Sequence, residues 1–282
     1  MKKIIAAAVA TAFVTPAFAD VTLGGLVEFG YSSEATTEST GHGNAAIFVA
    51  SSTELDNGIT AAAAINIDNS NDVTGGDGGT QVSLAGPFGK VEMGDTSSAT
   101  DKFDDKADRD VMGGSADLSA YDAAISWTLP TLVPGLSTYV SFAPESASKS
   151  DQPEHMGLGL QYVSGPVSVA YASNEGELDA DDQTYMRAMG TFAGLTVSYE
   201  VLEMGAGEKE EEVIGLSYAI NDVTISYGQG DHTNDAGATS AEETFFGVKY
   251  SLGGGVTLFA ERFEDDMDES AEVDTFGVAY AF

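Results

Sequence analysis

The chain contains no cysteine, so it can form neither a disulfide framework nor a thiolate metal site. Tryptophan occurs once, at Trp127. Histidine occurs at His42, His155 and His232, with no H-E-x-x-H or serine-elbow motif around any of them. Carboxylates are abundant, but a carbohydrate-cleaving site needs a defined acid pair and usually several tryptophans, so the residues point away from an enzyme. Basic residues are scarce as well: 11 Lys and Arg stand against 45 Asp and Glu, for a formal net charge of -34. A chain this negative repels nucleic acid and anionic surfaces, which excludes both as expected partners. No stretch approaches the ~18–20 uninterrupted apolar residues that a membrane-crossing helix requires. If the protein enters a membrane, it does so as strands.

What is present begins with a leader. Residues 1–19 carry Lys2 and Lys3, an apolar stretch from Ile4 to Val14, Pro16 and the small-x-small site Ala17-Phe18-Ala19, the pattern of a cleavable signal peptide. Cleavage there begins the mature chain at Asp20. At the other end, Phe276, Val278, Tyr280 and Phe282 alternate with Thr275, Gly277, Ala279 and Ala281. A period of two suits a strand with one face on lipid and the other on a water-filled interior. A mean hydropathy of -0.05 is compatible with membrane insertion of this kind, because the alternation cancels the average.

Seven tight turns punctuate the chain, at 56–58 (Asp-Asn-Gly), 86–89 (Gly-Pro-Phe-Gly), 130–135, 164–166, 193–194, 220–222 and 251–255. Eight polar loops lie between them, at about 33–44, 69–79, 96–120, 144–154, 176–182, 205–208, 232–240 and 265–272. Together they join sixteen strands, an even number that leaves both chain ends on the short-turn side. Alternation is clear over 21–31, 195–201, 214–218 and 223–228; segments 136–143 and 256–264 have no clear phase. The expected fold is all-β: residues 20–282 form one 16-stranded antiparallel transmembrane β-barrel with short periplasmic turns and long external loops.

Tyr31, Tyr162, Tyr171, Tyr199, Tyr218, Tyr227, Tyr250 and Tyr280 fall on the lipid phase of their strands. Aromatics favour strands in general, but this placement favours an interfacial girdle. Ala45, Ala46, Ala50 and Ala61 to Ala64 form a surface poor in large side chains. Small residues permit close packing between proteins in a membrane, so strands two and three are expected at a subunit interface.

Three segments in order, Thr53-Glu-Leu-Asp-Asn-Gly-Ile-Thr60, Leu84-Ala-Gly-Pro-Phe-Gly-Lys-Val-Glu-Met-Gly-Asp95 and the terminal Phe282, resemble the sixteen-stranded general porins of alphaproteobacteria, the Rhodobacter type. The resemblance spans the whole mature chain. It implies a homotrimer of water-filled pores in the outer membrane of a Gram-negative bacterium, with no required cofactor, passing small hydrophilic solutes and ions by diffusion. Outer-membrane lipid and lipopolysaccharide would surround it, and Phe282 resembles the signal read by the barrel-assembly machinery.

The resemblance also implies that the third loop, 96–120, folds inward as a constriction. Its pore-constricting residues are then Asp95, Asp101, Asp104, Asp105, Asp108, Arg109 and Asp110. Read without the resemblance, the same segment is an ordinary solvated external loop. The family usually sets several arginines on the wall facing this loop, whereas segments 45–54 and 59–68 contain no base. The expected pore wall comprises Glu28, Glu92, Arg187, Glu200 and Lys249. Confined charges are poorly screened, so an acidic eyelet predicts cation selectivity.

Acid runs at 208–212 and 265–269 sit in or beside external loops. They admit two readings: weak Ca2+ sites bridging to lipopolysaccharide, or a solvated rim that repels anions. The competing class for the whole chain is a secreted acidic β-rich adhesin or glycan-binding protein.

Overall fold

The computed structural model describes residues 20–34, 40–68, 79–103, 122–144, 154–176, 182–205, 209–233, 240–266 and 272–282. The expected leader, 1–19, lies outside them. Sixteen strands follow in chain order: β1 (Asp20–Glu34), β2 (Thr40–Glu54), β3 (Thr60–Asp68), β4 (Thr80–Gly86), β5 (Gly89–Ser97), β6 (Asp122–Thr128), β7 (Leu136–Ala143), β8 (His155–Ser164), β9 (Val167–Gly176), β10 (Gln183–Phe192), β11 (Leu195–Met204), β12 (Lys209–Ile220), β13 (Val223–Thr233), β14 (Ser240–Gly253), β15 (Val256–Asp265) and β16 (Val273–Ala281). One short helix, α1 (Ala99–Phe103), follows β5. Every strand pairs antiparallel with its sequence neighbours, and β1 pairs with β16, so the sheet closes. Closure satisfies the backbone groups that an open edge would expose to lipid.

The turns work as their residues dictate. Asn57 Oδ1 accepts the Ile59 N–H (3.1 Å), closing the turn between β2 and β3. Ala193 and Gly194 both take positive φ, 52° and 84°, as a two-residue hairpin of the right twist requires. Strand bounds differ from the turn-based expectation at the first loop: β1 runs to Glu34 and β2 starts at Thr40, both strands reaching 15 residues. Polar residues at external strand ends continue the ladder beyond the apolar band, which hydropathy alone does not register.

The register also assigns the two segments of unclear phase. In β7, Tyr139, Ser141 and Ala143 are buried and point inward. Their neighbour Val140 pairs with outward Trp127. In β15, Phe259 is buried inward while Leu258 is exposed on the outer face. Both segments put an aromatic in the lumen, and that mixture hid the alternation.

Outward faces are apolar, and their aromatics fall in two rows. Tyr162, Tyr218, Tyr250 and Tyr280 lie toward the short-turn ends, with Trp127 donating its indole N–H to the Phe88 carbonyl (2.8 Å). Tyr31, Tyr171, Tyr199 and Tyr227 lie further along. Tyr199 donates to Glu212, and Gln229 donates to Glu242 (2.6 Å), so polar groups take over beyond this second row. An amphipathic ring with a polar partner beside it suits a lipid–water boundary. At the seam, Phe276 stacks on Tyr31 at 5.7 Å, and Phe282 exchanges backbone hydrogen bonds with Gly25 (2.9 and 3.0 Å).

Candidate functional site: the barrel lumen

Past Met93 the pairing of β5 with β6 shifts register, a bulge that re-aims the strand end. Asp95 follows it; its Oδ2 accepts the Thr80 N–H (3.1 Å) and its carbonyl accepts Gln81 Nε2 (3.3 Å). The chain then turns into the barrel. Ser98 caps α1, its hydroxyl accepting the Asp101 N–H (3.3 Å), which satisfies an otherwise orphaned donor. Helix α1 lies against the inner faces of β7 to β10, with Ala99, Thr100 and Phe103 buried.

The seat of α1 is made of small and neutral polar residues. A Cβ built on Gly157 would fall 2.7 Å from Ala99 Cβ, and one on Gly159 would fall 2.1 Å from the Phe103 ring. Only glycines leave room for the helix there. Phe103 meets Tyr139 edge-on at 6.3 Å, and Tyr139 donates its hydroxyl to the Ser97 carbonyl (2.7 Å). Burying a phenylalanine contributes roughly 1.5–3 kcal/mol to the docking.

An amide clamp completes the seat. Asn174 of β9, fully buried, accepts the Ala99 N–H at Oδ1 (3.2 Å). Its Nδ2 lies near three oxygens, Thr100 Oγ1 (2.6 Å), Ser98 Oγ (3.1 Å) and Gln183 Oε1 (3.1 Å). Thr100 donates to the same Gln183 oxygen (3.0 Å). No charged group takes part in these bonds, so salt should weaken them little.

Among the expected constriction residues, the structure places Asp95 at the end of β5 and Asp101, half-buried, on α1. Asp104, Asp105, Asp108, Arg109 and Asp110 lie outside the described residues. Among the expected wall residues, Arg187 and Glu200 are directly opposite each other on β10 and β11. They are 5% and 0% exposed, and Tyr185 donates its hydroxyl to Glu200 (2.8 Å). Glu92 points inward on β5 and accepts Lys90 Nζ at 2.6 Å. Glu28 is half-buried on the inner face of β1, and Lys249 lies on the inner face of β14. The seam of β16 and β1 is eight strands around from the β8–β9 wall, so Glu28 and α1 occupy opposite sides of the lumen.

Sequence reasoning missed several of these groups. Lys90 is a lumen base, but it sits against the Gly86–Gly89 turn and reads as turn punctuation. Asn174 and Gln183 flank an external loop and carry no motif; only their shared inward phase could have singled them out. Among the described residues, no group of three or more His, Asp or Glu is placed to hold a metal ion.

A family model described as Gram-negative porin matches residues 6–269 of the chain. Among solved structures, a porin refined at 1.8 Å is 19% identical with a TM-score of 0.72. A triple mutant of the Rhodopseudomonas blastica porin is 18% identical with a TM-score of 0.71. Each alignment covers 93% of this chain and 100% of the other. At these identities the likeness concerns the fold. No curated protein sequence matches the chain.

Proposed function

Because the chain belongs to the Gram-negative porin family, we propose that it is a cation-selective general diffusion channel, passing small hydrophilic solutes and ions through a water-filled lumen. The observation that carries this reading is α1, a loop element folded inside a closed barrel. Among the described residues it fills the side of β7 to β10. The family places the protein in the outer membrane, and its members are channels and not enzymes.

Selectivity rests on charge. From Asp101 to Asp110 five aspartates outnumber the three bases Lys102, Lys106 and Arg109, while on the wall Glu28, Glu92 and Glu200 are balanced by Lys90, Arg187 and Lys249, so the excess of negative charge lies in the loop. Rings of Asp and Glu favour cations where low-dielectric walls confine the field. Reconstituted in a planar bilayer under a KCl gradient, the protein should give a reversal potential of cation-selective sign, drawn toward zero by neutralising Asp104 and Asp105 to Asn. A potential of anion-selective sign would overturn the selectivity.

Other parts of the proposal follow from the surface. Residues 1–19 act as a signal peptide that directs export. Of the expected alanine surface only Ala45, Ala61 and Ala63 face outward, with Ile47, Val49 and Ile65 among them, because the period of two turns Ala46, Ala50, Ala62 and Ala64 to the lumen; a homotrimer contact at β2 and β3 would rest on that mixed apolar face. Lipopolysaccharide would meet the carboxylate-rich external ends of β11 to β14, and the barrel-assembly machinery would meet Phe282 at the periplasmic rim. A secreted adhesin has no use for an outer face of exposed apolar side chains such as Leu23, Leu158, Ile214 and Leu258, which is where lipid belongs.

A further inference from the structure

Resting on the reading of the lumen as a water-filled path, we propose that the inner wall of β1 to β5 carries a weak binding subsite for a neutral, hexose-sized polyol. A recess of about 250 Å³ opens there, on the side of the lumen that α1 does not occupy. It is large enough for one sugar ring and too small for a longer chain to bury itself.

The register shows how the recess is built. Thr22, Ala50, Ala64 and Gln81 lie side by side on β1 to β4, each directly paired with the next. One step along, Ser52, Ala62, Ser83 and Glu92 form a second row across β2 to β5. Ala50, Ala62 and Ala64 therefore make a floor of methyls, bordered by the hydroxyls of Thr22, Ser52 and Ser83 and the amide of Gln81. Lys90 stands beside Glu92 at the turn end of the recess.

Beside the recess, two residues from Ala50 on the same inward face of β2, stands Phe48. Phe48 is 42% exposed, in contrast with the lumen-facing Phe245 and Phe259, which are buried. A large apolar ring bared to the water of a pore is the unusual feature here, since a lumen wall is normally polar.

The chemistry of the occupant follows from this pattern. A pyranose has an apolar face of C–H groups and an equator of hydroxyls. Its C–H face can lie on the alanine floor or against the electron-rich face of Phe48, while its hydroxyls exchange water for Thr22, Ser52, Ser83 and Gln81. Charge decides against an anion: the ammonium of Lys90 is already held 2.6 Å from Glu92, and the protein as a whole is strongly negative. An open recess without an enclosing lid binds weakly, as a diffusion path requires, because a tight site would stop transport.

The test uses the folded protein in a sugar-free detergent with D-glucose as probe. Saturation-transfer NMR should show magnetisation passing to the ring C–H protons of glucose. Phe48→Ala, and separately Ala62→Leu, which fills the floor, should reduce it to background, while outward Phe246→Ala leaves it unchanged. Absence of transfer in the parent protein, or transfer equal in parent and both lumen variants, overturns the subsite. The same preparations are then inserted in a planar bilayer. Conducting channels without glucose transfer refute the subsite and leave the pore reading standing. Glucose transfer in a protein that never conducts refutes the pore reading instead.

Discussion

Gly157 and Gly159 decide more about the lumen than any charged residue on the wall beside them. Each occupies an inward position of β8 where a side chain would ordinarily stand, and each makes room for part of α1: Gly157 for Ala99, Gly159 for the Phe103 ring. A methyl at position 159 would overlap that ring, and overpacking of this kind costs about 1–3 kcal/mol. Gly159→Val should therefore leave the barrel intact, valine being a good strand residue, while displacing Phe103 from its seat. The expected result is unchanged migration of the folded protein in gels together with a clear change in single-channel conductance; unchanged conductance would show that α1 does not set the bore. Phe48 illustrates the opposite case, a bulky residue at a lumen position with its ring in water.

Helix α1 is too short to be stable alone, since nucleating a single turn is unfavourable without tertiary support. Its cap at Ser98, the burial of Phe103 and the Asn174–Gln183 clamp supply that support. The clamp consists of neutral amides and hydroxyls, so holding α1 should depend little on ionic strength. Asn174→Leu removes the amide donor shared by Gln183, Ser98 and Thr100 and leaves the Ala99 N–H without its acceptor, and a buried unsatisfied group costs roughly 1–3 kcal/mol. The ladder of β9 is untouched by this change. Open-channel noise should rise and persist at high salt, with the thermal stability of the barrel preserved; a quiet channel indistinguishable from the parent would rule the clamp out as the anchor.

For the whole molecule, closure between β1 and β16 is the decisive contact. Gly30 and Gly277 face each other across that seam, and a Cβ on Gly277 would fall 2.5 Å from the Phe29 carbonyl oxygen and 2.9 Å from Gly30 Cα. Backbone cannot move aside as a side chain can. Gly277→Val should prevent tight closure and expose unpaired strand edges, which a bilayer does not tolerate. Gly190→Val is the control: the nearest atom to its added Cβ is 4.0 Å away. In unboiled SDS gels the control should keep the compact mobility of a folded barrel and the seam variant should lose it. Equal mobility of the two would mean that the seam tolerates a side chain.

Strand number, turn positions, the direction of most faces and the family were legible in the sequence, because a barrel repeats one local rule sixteen times. Turn chemistry at Asn57-Gly58 or Ala193-Gly194 and the alternation from Leu195 to Val201 act within a few residues and need no knowledge of the rest. The rule fails where an inward position is not polar. Tyr139 and Phe259 blurred the phase of β7 and β15 because the lumen, like a core, has packed regions as well as wet ones. Arg187 and Glu200 show the same limit: their inward phase was readable, but their complete burial was not, since burial depends on what packs over the wall. The seat of α1 joins residues from β5, β7, β8, β9 and β10, brought together only by curvature and shear of the closed sheet. Local periodicity therefore determined the barrel, and long-range closure alone decided where α1 finds its seat inside it.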